Sequence, residues 1–181
     1  MPETKHRITR RIRYGVAMSL DGFIAGPNGE YDWIEPDPDF DFAELWTQFD
    51  TLLMGRRTYE VAVTRLGESA FQGPKVVVAS RTLRARDHPG ITVLQEVTRT
   101  SLQSLRARPG EKDIWLMGGG VLFRTLIELH EVDRIELSIK PVLLGSGIPL
   151  LPGPSPQIKL KLLENEIYRS GMIRAVYAVA G

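Results

Sequence analysis

The sequence predicts an α/β fold of three layers, with a mainly parallel central sheet, an antiparallel C-terminal edge strand and helices on both faces. Short apolar runs of strand length alternate along the chain with longer segments whose apolar residues recur at helical spacing. Turns that contain glycine join several of these runs to the segments after them. The chain closes on two strand-like segments, 158–166 and 172–179, and the turn residues 169–171 predict that they pair as a hairpin. This order of elements is typical of the class.

The stretch 114–123 changes from strand to helix chemistry across three consecutive glycines. Residues 114–117 form an apolar run typical of a strand that is buried on both faces, and 121–129 carries apolar residues at helical spacing. Glycine has no Cβ, so a ligand can approach the backbone at 118–120 closely. The helix that follows presents unpaired N–H groups and about half a positive charge at its start. We expect phosphate to bind here; a tight turn without a ligand is the alternative.

Two further strand ends carry residues suited to anions. The run 51–54 is followed by a turn with glycine and two arginines at 55–58, and then by a helical segment at 59–66. The buried run 75–79 ends in a serine, an arginine and a threonine at 80–82. The planar guanidinium of arginine suits phosphate. Each turn alone is typical of a solvated surface, but their recurrence at strand ends indicates a nucleotide site.

The first strand is predicted at 13–19, and a loop rich in turn residues follows it. Phe23 and Ile24 are too apolar for a wholly solvated loop, so we expect them to pack over the core or over a bound ring. Further along, Thr100 and Gln103 predict a capping box at the start of a helix.

Residues 1–12 hold several basic side chains and little to bury, which predicts a flexible basic tail; contact with an anionic partner is the alternative. The remaining residues, 13–181, are predicted to form a single domain, because the length suits one core.

The composition argues against several classes of protein. The chain has no cysteine, which removes disulfides, thiolate nucleophiles and cysteine-ligated metals. A formal net charge of +1 gives no argument for a nucleic-acid partner. No apolar run approaches the roughly 18 residues that span a bilayer, and no charged-then-apolar leader opens the sequence. We expect a cytoplasmic protein.

Acidic residues recur at alternate positions in 37–41 and superficially resemble a calcium loop. Phe42 and Gln48 stand where such a loop needs glycine and glutamate, so an EF-hand is rejected and no metal site is expected. Prolines before these acids favour the start of a helix instead.

Four motifs occur in the order in which one protein family has them. They are MSLDGFIA at 18–25, MGRRTYE at 54–60, the glycine triplet at 118–120 and KPVLLGSG at 140–147. From about Arg13 to its end the chain resembles the dihydrofolate reductase fold and, within it, the reductase domain of the bifunctional riboflavin-biosynthesis deaminase-reductase.

The resemblance implies that NADPH lies across the strand ends, with its diphosphate between the two glycine turns, its 2′-phosphate near the arginines and its nicotinamide beside the first strand and loop. The cofactor-binding residues that it implies are Ala17, Ile24, Ala25, Gly55, Arg56, Arg57, Thr58, Ser80, Arg81, Met117, Gly118, Gly119, Gly120, Val121 and Leu122. The fingerprint G-x-G-x-x-G and its ribose-binding acid are absent. Arginines without that acid favour NADPH over NADH.

Reduction also needs a proton source and substrate contacts. Folate reductases place an acid on the first helix, so the resemblance implies Asp39 or Asp41 as the catalytic proton donor. A helix cap is the commoner role of an acid at such a position. Asp21 and Ser138 are candidate substrate contacts, and for Ser138 a bond to the backbone is the alternative.

These features together predict an NADPH-dependent reductase of a small heterocyclic or imine-type substrate, resembling 5-amino-6-(5-phosphoribosylamino)uracil reductase. Riboflavin reductases carry an aspartate-proline-leucine segment after the second phosphate turn, and 63–71 has none, so the substrate stays open. Pterin reduction of the dihydrofolate reductase type and a non-catalytic NADPH-binding protein are the alternatives. The resemblance also implies a homodimer.

Overall fold

The computed structural model describes residues 10–67, 71 and 73–180. In chain order its elements are β1 (Ile12–Ser19), β2 (Phe23–Ala25), α1 (Phe42–Thr47), β3 (Phe49–Gly55), α2 (Arg56–Leu66), β4 (Lys75–Ala79), β5 (Ile91–Leu94), α3 (Arg99–Ala107), β6 (Asp113–Gly118), α4 (Gly120–Glu128), β7 (Arg134–Lys140), β8 (Ile148–Pro149), β9 (Leu160–Ile167) and β10 (Ile173–Val179). A short 3₁₀ helix lies at Ala85–Asp87.

Eight strands form one sheet, in the order β5-β4-β3-β6-β1-β7-β10-β9. All neighbours from β5 to β7 pair in parallel. β10 runs antiparallel to both β7 and β9, so the predicted C-terminal hairpin forms this edge of the sheet. β2 and β8 pair separately, also antiparallel. The predicted fold class, mainly parallel with antiparallel pairing at the C-terminal edge, is confirmed.

Apolar clusters fill the space on both faces of the sheet. On one face α3 and α4 cover β1, β6 and β7, with Leu102 and Phe123 among the buried side chains. On the other face α2 covers β3 and β4. Successive strand residues point to opposite faces, so Leu53 joins the first cluster while Leu52 and Met54 join the second. Helices on both faces complete the three layers.

The domain begins before Arg13. Arg10 is 5 % exposed, its guanidinium bonds to Asp50, and Ile12 opens β1 in full burial. Residues 10–12 therefore belong to the domain and not to the predicted tail 1–12, of which 1–9 lie outside the described residues.

The capping box of α3 also differs from the prediction. It is formed by Thr98 and Ser101, two residues before the predicted Thr100 and Gln103.

Among the helices of the described ranges, none is long and apolar enough to cross a membrane. The same residues contain no group of three or more histidine, aspartate or glutamate side chains that could hold a metal ion.

Candidate active site

Two glycine turns meet at the carboxyl edge of the sheet. β3 and β6 are neighbours, and Met54 at the end of β3 pairs with Gly118 at the end of β6. A Cβ built on Gly55 would lie 3.8 Å from the carbonyl oxygen of Gly118, and one built on Gly119 would lie 3.7 Å from the hydroxyl of Thr58. The two turns, far apart in sequence, therefore form one surface.

Both turns open a helix whose first N–H groups have no side-chain cap. Gly55 precedes α2 and Gly119 precedes α4, and neither helix carries an acid in its first turn. In contrast, the side chain of Asp41 caps α1 and that of Thr98 caps α3. Two uncapped helix starts side by side leave N–H donors and partial positive charge in one place. This arrangement suits a diphosphate.

Arginine side chains lie around this surface. Arg56 donates to the hydroxyl of Thr82 at 2.8 Å, which connects α2 to the turn after β4. The hydroxyl of Ser80 accepts from backbone N–H groups of that same turn and so holds its shape. The side chains of Arg57 and Arg81 are exposed, and neither guanidinium group forms a hydrogen bond or ion pair with another of the described residues. Both guanidinium groups are therefore available to an anion.

Backbone geometry explains why glycines stand at the end of β6 and at the start of α4. Gly118 has a φ of +120°, a region that favours glycine, and its peptide bond to Gly119 is cis. A Cβ on Gly120 would lie 2.9 Å from both the carbonyl oxygen of Pro149 and the ring of Pro152. The glycines therefore allow the turn into α4 and the close approach of β8 and the residues after it.

A cavity of about 280 Å³ lies beside these turns. Its floor is formed by β1, β6, β7 and β10, and its walls by α1 and the segment before that helix. Ala17, near the end of β1, and Met117, directly before the glycines, both line it. Ile24 and Ala25 are half-buried in β2, which contacts β1. A molecule in the cavity would therefore lie next to the glycine turn.

One side of the cavity is aromatic. Phe40, Phe42, Phe49 and Trp115 line it together with Leu45. The ring centroids of Phe40 and Phe42 lie 4.7 Å apart in an edge contact, and the ring centroids of Phe49 and Trp115 lie 5.3 Å apart. Such a wall offers ring faces and edges to a planar substrate.

The floor carries buried charges. Glu136 on β7 is 7 % exposed and accepts two hydrogen bonds from Arg13 on β1. Arg174 on β10 donates to Glu136 at 3.4 Å and to Glu164 at 3.4 Å. Ser138 also lines the cavity, and its hydroxyl forms no hydrogen bond with any of the described residues. Arg174 and Ser138 therefore offer donors to a ligand, while Arg13 neutralises Glu136.

Polar contacts hold the segment between β2 and α1 over the cavity. The ammonium group of Lys140 donates to the carbonyl oxygen of Glu35 at 2.7 Å. The hydroxyl of Ser170 donates to the carboxylate of Asp37, which is 5 % exposed. These contacts join the segment to the end of β7 and to the turn between β9 and β10.

The acids predicted as proton donors lie outside the cavity lining. Asp41 is the N-cap of α1, where its carboxylate accepts from the N–H of Glu44 at 2.8 Å. Asp39 accepts two hydrogen bonds from Arg169, at 2.8 and 2.9 Å, and these bonds lower the pKa of Asp39. Both carboxylates are exposed. Their catalytic role stays a prediction.

Asp21, predicted as a substrate contact, holds a loop in place. It accepts from the hydroxyl of Ser19 at 2.6 Å and from the N–H groups of Leu144 and Gly145 at 3.1 and 2.7 Å. These hydrogen bonds, that of Ser19 first, lower the pKa of Asp21. The loop after β7 is thereby joined to the end of β1.

Sequence reasoning missed the other charged residues of the cavity. Side chains alternate between the two faces along β7, and this alternation places Glu136, Ser138 and Lys140 on one face. It was the signal in the sequence that could have identified them. Arg13 and Arg174 join them through the pairing of β7 with β1 and β10, which a single strand does not reveal.

The chain is similar to known proteins over nearly its whole length. The family model described as the RibD C-terminal domain matches residues 10–173. The YyaP protein of Bacillus subtilis (strain 168) is 37 % identical over 183 residues, which cover 93 % of this chain and 94 % of YyaP.

Solved structures share the fold. A protein from Shewanella sp. PV-4 has a TM-score of 0.82 at 23 % identity, covering 94 % of this chain and 99 % of that one. Dihydrofolate reductase from Enterococcus faecalis, complexed with NADP(H), has a TM-score of 0.69 at 17 % identity, covering 94 % and 97 %. At these identities the likeness shows the fold alone, and the predicted dihydrofolate reductase-like fold is confirmed.

Proposed function

Because the chain belongs to the RibD C-terminal domain family, which is a family of reductase domains, we propose that it is an NADPH-dependent reductase that transfers a hydride to a small planar heterocyclic or imine-type substrate. One observation carries this proposal. The two uncapped helix starts adjoin a cavity with an aromatic wall and hydrogen-bond donors on its floor. The first feature suits a diphosphate and the second suits a planar ring, and a nicotinamide reductase needs both next to each other.

The glycine turns and the arginines around them fit the cofactor. In this proposal the N–H groups at the starts of α2 and α4 bind the diphosphate, and Arg57 and Arg81 bind the 2′-phosphate. NADH has a hydroxyl where NADPH has that phosphate, so the two guanidinium groups favour NADPH. Bound NADPH supplies the hydride, and the chain's own residues position the acceptor.

The cavity would hold the substrate ring beside Ala17 and Met117, where the nicotinamide is expected. The aromatic wall stacks on the ring, and Ser138 and Arg174 donate to its carbonyl or ring-nitrogen acceptors. The contacts of Lys140 and Ser170 hold the segment over the cavity and so keep water away from the reacting atoms.

The proton that accompanies the hydride needs a donor near the ring. Lys140 is the candidate that the cavity adds, because it lines the cavity and its ammonium group retains donors beyond the one used by Glu35. Asp39 and Asp41 remain the candidates from the family resemblance. Losing a general acid lowers kcat by about a hundredfold or more.

Parallel substitutions separate these candidates. If Lys140 is the proton donor, Lys140→Met should lower kcat by about a hundredfold or more. Lys140→Arg keeps the contact with Glu35 and is the control for the loss of that contact. Asp39→Asn and Asp41→Asn should leave kcat within about twofold. A large loss in either aspartate variant would assign the role to that acid instead.

Reduction of the pterin type stays the alternative activity. A pterin ring presents an amino group and a ring N–H that call for an acceptor, and Glu136 on the cavity floor is already held by Arg13. Glu35 and Asp37 also line the cavity, so its lining contains further carboxylates that could accept from such a ring.

Oxidation of NADPH in the presence of candidate acceptors tests the proposed activity. We expect at least one member of a panel of pyrimidines, pterins and quinones to oxidise NADPH. The double variant Ser138→Ala/Arg174→Gln should slow that reaction by about tenfold or more and leave NADPH affinity unchanged. NADPH binding without oxidation by any acceptor would favour a non-catalytic NADPH-binding protein, and absence of binding would overturn the proposal.

A further inference from the structure

A second cavity, of about 120 Å³, opens at the amino edge of the sheet. It lies where β3, β4 and β5 begin, and its lining includes Thr51, Lys75 and Thr92 from these strands. The cofactor surface proposed above lies at the opposite edge. Lys75 opens β4 and Ala79 ends it, about 13 Å away at a rise of about 3.3 Å per residue. The second cavity is therefore separate from the candidate active site.

The lining of this cavity is positively charged. Arg10, Lys75 and Arg108 contribute to it, whereas no aspartate or glutamate of the described residues does. Asp50, which does not line the cavity, forms an ion pair with Arg10 and neutralises its charge. Lys75 and Arg108 therefore supply an excess of positive charge. A concave surface with charges of one sign raises the local concentration of ions of the opposite sign, so this lining favours an anion.

Several hydrogen-bond donors of the lining have no partner. Arg10 is 5 % exposed; its Nε donates to the carbonyl oxygen of Lys112 at 2.8 Å, and its Nη2 donates to Asp50 and Thr51. The third nitrogen, Nη1, forms no hydrogen bond with the described residues, although it carries two N–H donors. The hydroxyl of Thr92 is likewise without a partner among these residues. Both groups can donate to a ligand in the cavity.

Hydrogen bonds to one turn hold two of the cations in place. The ammonium group of Lys75 donates to the carbonyl oxygen of Pro109 at 2.8 Å, and Arg10 donates to Lys112 in the same turn. A Cβ built on Gly110 would lie 2.8 Å from Cζ of Arg10, so the turn packs directly on the guanidinium group. Lys75 keeps two of its three N–H donors for a ligand. Because both side chains are already ordered, binding costs little side-chain entropy.

We propose that this cavity binds a small oxyanion of the phosphate class. Nη1 of Arg10, the ammonium group of Lys75 and the hydroxyl of Thr92 donate to its oxygens. The volume has room for a few water molecules, each of which takes about 30 Å³ in the liquid, and so for a phosphate ion. Sites for drug-sized ligands measure about 300–1,000 Å³, so a whole nucleotide does not fit. The bound anion would connect the starts of three strands to the turn after α3.

This site does not depend on the proposed reductase activity. It uses none of the residues of the cofactor surface, and its test uses inorganic phosphate without NADPH. The two proposals can therefore fail independently.

An NMR titration with inorganic phosphate at neutral pH tests the site, against a chloride titration of equal ionic strength. We expect the amide signals of Val76 and Gly90, beside the cavity, to shift saturably at millimolar phosphate. The amide signal of Gly119 reports separately on phosphate at the cofactor surface. The variant Lys75→Met/Thr92→Val removes two of the donors. It should raise the half-saturating phosphate concentration at Val76 and Gly90 by about tenfold or more and leave the response of Gly119 unchanged.

Lys112→Met is the control for the loss of a positive charge in the same turn, because its exposed side chain does not line the cavity. It should change half-saturation by no more than about twofold, since exposed charges are screened. The dispersion of the amide signals establishes that each variant folds. Wild-type shifts that do not saturate, or that chloride reproduces, would overturn the proposal. A half-saturation that Lys75→Met/Thr92→Val leaves unchanged, or that Lys112→Met raises equally, would also overturn it.

Discussion

The indole Nε1 of Trp115 donates a hydrogen bond of 3.0 Å to the carbonyl oxygen of Gly15, on the neighbouring strand at the cavity floor. A Cβ on Gly15 would lie 2.7 Å from that nitrogen, so the indole occupies the space that a side chain would need. Gly15→Ala should therefore displace the indole and lower the free energy of unfolding by about 1–3 kcal/mol. Urea denaturation measures this loss.

The matching control is Trp115→Phe, alone and combined with Gly15→Ala. The smaller ring removes the atom that the new methyl group meets, so the double variant should lose clearly less stability than the sum of the single variants. Strict additivity would contradict the proposed clash.

The absence of a side-chain cap on α2 gives a second prediction. Gly55 has an ordinary extended conformation, and its built Cβ meets nothing closer than 3.8 Å, so a side chain fits there. Gly55→Asp would cap the helix and place a negative charge where we propose that the diphosphate binds, and it should weaken NADPH binding by at least about tenfold.

Gly55→Asn is the isosteric control. It caps the same N–H groups without the charge, and we expect it to keep NADPH affinity within about threefold. Both variants should melt at or above the wild-type temperature. Equal weakening by both variants in calorimetric titration would indicate steric hindrance and not charge repulsion.

Tyr14 has a buried hydroxyl with no hydrogen-bond partner among the described residues, and its ring stacks on Phe123 with 4.0 Å between centroids. Removing an unsatisfied hydroxyl while keeping the ring is expected to leave stability unchanged or to raise it by up to about 1 kcal/mol. Urea denaturation of Tyr14→Phe tests this expectation, and a loss above about 1 kcal/mol would contradict it.

The same residue gives a pH dependence. Burial raises the pKa of Tyr14 above the ordinary tyrosine value of about 10, so the unfolded state releases this proton first. The contribution of Tyr14 to the free energy of unfolding is therefore constant below about pH 10, and it becomes destabilising as the pH rises further. Tyr14→Phe should lose this part of the alkaline destabilisation.

Asp21 holds the loop that follows β7 through its carboxylate. Asp21→Asn removes the charge that accepts the N–H groups of Leu144 and Gly145, so both amides should exchange with solvent several-fold faster at neutral pH. Hydrogen exchange followed by mass spectrometry measures this. Asp32→Asn, on the exposed turn before α1, is the control and should change nothing in this loop.

The titration of Asp21 follows from the same hydrogen bonds. They lower its pKa below the ordinary value of about 3.9, so the loop contacts are complete above that value and are lost as the pH falls through the lowered pKa. The amide signals of Leu144 and Gly145 in an NMR titration should have their midpoint below the ordinary range. A midpoint above it would contradict the assigned contacts.

Local sequence signals predicted the turns at the strand ends. The charged residues of the cavity floor, which the sequence did not predict, come together only through long-range strand pairing. Glycines and arginines at the turns stand next to each other in the chain, so the candidate cofactor surface was readable from the sequence. The floor of the cavity was not, because Arg13, Glu136 and Arg174 come from three strands and meet only through register. The capping box of α3 was misplaced since hydroxyl residues recur at Thr98, and then at 100 and 101.

Arg57 and Arg81 are proposed to select a cofactor that carries a 2′-phosphate. Calorimetric titration of the wild type and of Arg57→Ala/Arg81→Ala with NADPH and NADH tests this selection directly. The exposed Arg108→Ala variant, at the end of α3, controls for the loss of a positive charge. We predict that the wild type binds NADPH at least about tenfold more tightly than NADH, a difference of about 1.4 kcal/mol, and that the double variant loses this preference while the control keeps it. Equal affinity of the wild type for both nucleotides, or a preference that survives the double substitution, would contradict this account.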